Sequence, residues 1–214
     1  MEIDFNRELK DECSVHTARM YMVETTRSAE IEMIESHAPN AARDLATINP
    51  DLLVFGCTSA GSLFGADYDL RICKQLGDIA NATALGVMSA VTKELELAGG
   101  RHLAVLTPYV EELTVSVANA AASESRHISV AVGMGISDNV TLSDPSPQDI
   151  LQFARESLAG HEFDSLLVSC TNFRALEAVP LLEDVFGVPV VTSNGAIIAA
   201  IRNQIGFLKE ASVN

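Results

Sequence analysis

The sequence predicts an α/β protein of two pseudo-symmetric parallel-sheet lobes with a cleft between them. Three observations predict it. Short β-branched runs alternate with longer helical stretches. A Leu-Leu-Val strand running into Cys-Thr occurs twice, as LLVFGCTSAGSL over 52–63 and LLVSCTNFRAL over 166–176. Gly99-Gly100 breaks the chain near its middle. Strand–helix alternation of this kind builds a parallel sheet with right-handed crossovers.

Each element has its own signal. SVHTARMYM (14–22) is read as a strand, followed by a helix from Ser28 to Thr47 with Ser28 as its N-cap. DLLVFG (51–56) is a continuous apolar run, as expected of a strand covered on both faces. Helices follow over 67–79 and 86–98, the second ending at Gly99-Gly100. The second half repeats the rhythm, with strands at 102–107, 128–133, 165–170 and 188–193. Helices are expected over 110–124, 147–159, 174–185 and 195–209. The domain division that follows is 1–98, completed by the C-terminal helix within 194–214, against 99–193.

Composition bounds the function. The 214 residues are 48% hydrophobic and 20% charged, enough for a core and unlike a disordered chain. Twenty-nine acidic residues against fourteen basic give a net charge of −15, the wrong balance for a nucleic-acid partner. Trp is absent and aromatics are 5%, which argues against a stacking surface. No apolar run reaches the length of a membrane span, and MEIDFNRELKDE is too charged for a signal peptide. The expectation is a soluble cytoplasmic protein with no membrane or nucleic-acid partner. Its four cysteines lack CxxC or His spacing for a metal, so they read as free thiols.

Cys57 and Cys170 end the two copies of the repeated strand, each ahead of a helix. Open α/β sheets bind ligands at the carboxyl ends of their strands, and a helix N-terminus there offers free N–H groups and a positive dipole end that favour a thiolate. Two facing lobes would set the cysteines on opposite sides of one cleft. One thiolate could add to a substrate carbon or take a proton from it while the other thiol donates a proton, without metal or organic cofactor. Thr58, Ser59, Thr171 and Asn172 beside them could hold carboxylates. Cys13 and Cys73 end no apolar strand and are read as core residues. GMGISDN (133–139) opens no helix, so it is not a dinucleotide loop.

Five segments carry a resemblance: VHTARM (15–20), FGCTSAGSLFG (55–65), VLTPYVEE (105–112), SCTNFRALE (169–177) and PVVTSNGA (189–196). Together, over about residues 2 to 206, the chain resembles the maleate cis–trans isomerase and arylmalonate decarboxylase family of the aspartate/glutamate racemase superfamily. The resemblance implies Cys57 as the nucleophile and Cys170 as the opposing acid. It also implies Tyr109 and Asn139 as carboxylate ligands, and a dimer or larger homo-oligomer acting on a small dicarboxylate. Decarboxylases of the family keep only the second cysteine, so the pair favours maleate-to-fumarate isomerisation. A two-thiol racemase of aspartate, glutamate or hydantoin type, an arylmalonate-type decarboxylase, a role on another small acid as in the ectoine-utilisation subgroup, and a non-catalytic member are the alternatives. The family's first strand and its Pro-Ser-Ser-Asn loop have no counterpart ahead of MEIDF, and the natural protein is expected to be longer. His16 and Arg19 could reach the cleft, whereas Arg174, His102, His127 and His161 are read as surface residues.

Overall fold

A computed structural model describes residues 1–65 and 67–211. Two parallel sheets carry the chain. One pairs β1 (Leu52–Phe55) with β2 (Thr83–Gly86), and the other has the order β4 (His127–Gly133), β3 (His102–Thr107), β5 (Ser165–Val168), β6 (Val190–Thr192). All four pairings are parallel. The larger sheet shows why its sequence runs are continuous: every residue of β5 and all of β3 after His102 is buried, because helices cover both faces. Edge strand β4 is half-buried along most of its length.

The helices follow their caps. In α8 (Pro147–Ser157) Ser146 and Asp149 form a reciprocal capping box ahead of Pro147. The chain leaves α5 (Tyr68–Ala80) through Asn81 and α9 (Ala175–Phe186) through Gly187, both left-handed. α6 (Val87–Ala98) ends at Gly99, φ 72°, as its sequence predicts. α7 (Glu111–Ala121) packs on β4, and α10 (Ser193–Ala211) packs chiefly on α6.

Two sequence expectations are corrected. Residues 14–22 form no strand; they run as irregular chain with His16, Thr17 and Arg19 exposed. A strand requires a neighbour to take up its backbone groups, and the nearest pairing is one antiparallel bridge between Glu24 and Asp138. The expected helix from Ser28 starts earlier, capped by the Thr26 hydroxyl on the Ala29 N–H. It is α2 (Arg27–Glu32), a π turn (Met33–His37) and α3 (Ala38–Ala46) in succession. Pro39 has no N–H to give to the ladder, which accounts for the wider turn before it. Two elements carried no prediction: α1 (Glu2–Glu8) and β2.

The two sheets differ in their edges. β1 pairs only with β2 among the described residues, and its residues Leu52–Phe55 line one cavity together with Leu9, Met33 and Ala42.

Candidate active site

β1 and β5 end alike, with Cys57 two residues past Phe55 and Cys170 two residues past Val168. Cys57 is the N-cap of the short helix α4 (Thr58–Ser62), whereas Cys170 enters a turn and α9 begins only at Ala175. Both thiols are buried and border a single cavity of about 970 Å³. Ser59, Tyr109, Asn139, Thr171 and Asn172 border it as well. The repeated sequence therefore does bring its two cysteines to one place.

The expected thiolate stabilisation is not what dominates. Burial pushes the Cys57 thiol well above its ordinary range, and the Glu30 carboxylate adds to it; the Ala60 N–H and Ser59 hydroxyl offset only part. Cys170 is pushed up to about 11, again by burial first, with Tyr109 and the Asn172 N–H opposing. The Asn172 N–H lies 3.3 Å from its Sγ. One short helix start cannot outweigh desolvation of a wholly enclosed thiol. At neutral pH both sulfurs rest as thiols.

Tyr109, at the exit of β3, is buried and its hydroxyl contacts Cys170 and Ser59. Burial raises its pKa, so it remains a proton donor toward the cavity. Thr171 donates to Gly56 O at 3.1 Å and Thr58 donates to Ser193 Oγ at 2.8 Å. Ser193 also accepts the Cys170 N–H at 3.1 Å, so both strand ends are tied across the site. Thr58 is thus a buried strut behind the cavity wall and does not border it. Asn139 has both ends of its amide engaged: Nδ2 donates to Met22 O at 3.2 Å and Oδ1 accepts from Thr25 at 3.3 Å. Asn172 donates to Asn139 O at 3.0 Å. This pair fastens residues 22–25 over the rim.

His16 and Arg19 border the same cavity from exposed chain, and Arg19 approaches Glu2 at 3.4 Å. Arg174 is exposed and paired with Glu177 at 2.8 Å. His102, His127 and His161 are exposed, and Cys73 is buried within α5. Cys13, half-buried, borders the cavity's apolar stretch. Among the described residues no cluster of three His, Cys, Asp or Glu could hold a metal ion.

The sequence reading missed Glu30. It is wholly buried on α2 and its carboxylate accepts a hydrogen bond from Ser59. A signal existed: Glu30, Met33, Ile34 and Ala38 recur at the spacing of one buried helix face.

This fold is that of the maleate isomerases and arylmalonate decarboxylases. The Nocardia farcinica maleate cis–trans isomerase bound to TRIS superposes with a TM-score of 0.85 at 21% identity, over 96% of this chain and 85% of that one. A cysteine-to-serine mutant of it, carrying a covalently bound succinylcysteine intermediate, also gives 0.85. In sequence, the maleate isomerase of Geobacillus stearothermophilus is 21% identical over 90% of this chain and 78% of its own. The arylmalonate decarboxylase of Bordetella bronchiseptica is 25% identical over 78% and 69%. A family model described as arylmalonate decarboxylase matches residues 12–213, and the chain belongs to that family.

Proposed function

We propose that the chain is a cofactor-independent cis–trans isomerase of a small dicarboxylate, converting maleate to fumarate. That it is an enzyme of the isomerase class rests on its maleate isomerase relatives. The observation that carries the chemistry is the pair of equivalently placed thiols, Cys57 and Cys170, bordering one cavity with the donors Ser59 and Tyr109. The Cys57 thiol gives its proton to a base of the site as its sulfur adds to one alkene carbon, and the alkene electron pair moves onto the neighbouring carbon and its carboxylate. The hydroxyls of Ser59 and Tyr109 stabilise that charge in a water-poor site. Cys170 gives its proton to the carbanion, leaving a single C–C bond free to rotate. The Cys170 thiolate then takes a proton back, the C–S bond breaks, Cys57 regains its proton, and fumarate leaves. Tyr109, Asn139, Thr171 and Asn172 border the space where the carboxylates would lie. Thr58 acts only by holding the strand end. The cleft reading divides the chain into residues 1–98 with the last helix, and 99–193. Packing of α10 on α6 supports that division.

Proton NMR of maleate with the purified protein tests this reading. A growing fumarate signal, lost in Cys57→Ala and reduced at least ~100-fold in Cys170→Ala, is expected, since proton transfer alone contributes about that factor. An unchanged maleate signal in the parent would overturn it. Decarboxylation of an arylmalonate is the second reading, favoured by the family description and the Bordetella bronchiseptica relative. Carbon dioxide release from phenylmalonate would support it instead.

A further inference from the structure

We propose that Glu30 is the proton acceptor and donor for Cys57, acting through the Ser59 hydroxyl: a positioning residue one atom removed from the reacting sulfur. The inference deepens the isomerase reading and rests on it for its place in the cycle.

Three features of the structure carry it. Glu30 is wholly buried, and its Oε2 has no hydrogen-bond partner. Its Oε1 accepts from Ser59, whose Oγ stands 3.7 Å from the Cys57 sulfur. Among the described residues no cation forms an ion pair with the carboxylate. Arg27, on the same helix, influences it but spends its guanidinium on Leu63 O at 3.2 Å and on the face of Phe64. An enclosed carboxylate without an ion-pair partner costs several kcal/mol. Such a group is a candidate for chemistry rather than for stability. The other ionisable groups it interacts with are Glu112 from α7 and the thiols of Cys57 and Cys170. Burial lifts Glu30 to about 8, so it titrates where an enzyme works.

The neutral Cys57 thiol is too weak an acid to ionise alone in this site. A base linked to it through the Ser59 hydroxyl removes the need. As the C–S bond forms, the thiol proton passes to Ser59 Oγ and the Ser59 proton passes to Glu30. The thiol and carboxylate become a thioether and a carboxylic acid, and the single negative charge passes from Glu30 to the substrate carbanion. Elimination reverses both transfers, so nothing is consumed. The same buried negative charge could instead act only by repulsion, making Cys57 harder to ionise. The two roles predict opposite effects of removing it.

The experiment measures carbamidomethylation of Cys57 by iodoacetamide against pH, followed by peptide mass mapping. It needs no substrate, so its result is separable from the NMR test of the isomerase reading. In the parent the rate is expected to rise with pH and level off near the Glu30 titration. In Glu30→Gln the plateau disappears and the rate at pH 8 falls at least ~100-fold, the low end of general-base effects. Ser59→Ala, which breaks the bridge and leaves the carboxylate, is expected to behave likewise. Glu30→Asp should restore a plateau. An unchanged or faster Cys57 reaction in folded Glu30→Gln would overturn the proposal in favour of simple repulsion. Should that variant fail to fold, an unaltered plateau in Ser59→Ala would overturn it equally.

Discussion

Ser193 and Glu30 show how single buried polar groups hold the site. Ser193 Oγ takes hydrogen bonds from the Thr58 hydroxyl and the Cys170 N–H, so one side chain registers both cysteine-bearing strand ends. Glu30 has the opposite energetic sign. Its folded pKa is about 8 against an ordinary value of 4.5, so the folded chain holds a proton that the unfolded chain releases. Below pH 4.5 both states are protonated and the group costs no charge burial. As pH rises toward 8 the unfolded state gains, and stability falls by about 1.4 kcal/mol per pH unit from this group. Glu30→Gln is therefore expected to lose less stability between pH 5 and 8 than the parent, read as urea midpoints; parallel slopes would show that Glu30 is ionised throughout. The cysteines were legible because their strands repeat. Glu30 was not, because Ser-Ala-Glu-Ile-Glu reads as a solvent-facing acidic turn until its spacing to Met33, Ile34 and Ala38 is counted.

At the scale of elements, close backbone approach fixes the first sheet against its helices. Asp69 of α5 is buried beside the start of α6, where it accepts the Ser89 N–H at 2.9 Å and hydroxyl at 2.7 Å. A carboxylate there favourably meets the positive end of α6. It also leaves no room: a Cβ on Gly86 would stand 1.8 Å from Asp69 Oδ2. Gly86→Ala is expected to destabilise the fold by about 2–4 kcal/mol through overpacking and loss of the Ser89 bonds. Gly206→Ala is the contrast. It lies in α10 with nothing within 4 Å of the new methyl, and is expected to be neutral or stabilising by up to ~1 kcal/mol. Urea unfolding with an unchanged m-value checks both. Strand runs such as HLAVLT were read to the residue because both faces are buried. Thr83–Gly86 was missed because a four-residue strand beginning at an exposed Thr presents no apolar run. The 14–22 reading failed for another reason: periodicity proposes a strand, and only a hydrogen-bonding neighbour makes one.

Across the whole molecule, the repeat is a statement about function as much as about fold. Two sheets turn equivalent strand ends to one cavity, and Thr171 to Gly56 and Thr58 to Ser193 lock those ends together. The architecture and the meeting of Cys57 with Cys170 were legible in the sequence. Their protonation was not, since helix starts visible in sequence argue for thiolates while burial visible only in three dimensions argues against them. An enclosed thiol pair that reacts in sequence, one sulfur bonding to carbon and the other carrying its proton, is the central claim. Its most direct test is to quench the protein during incubation with maleate and map the modified peptides by mass. The account predicts a succinyl adduct on Cys57, retained in Cys170→Ser and absent from Cys57→Ala. An adduct confined to Cys170, or fumarate formed by Cys57→Ala, would contradict it.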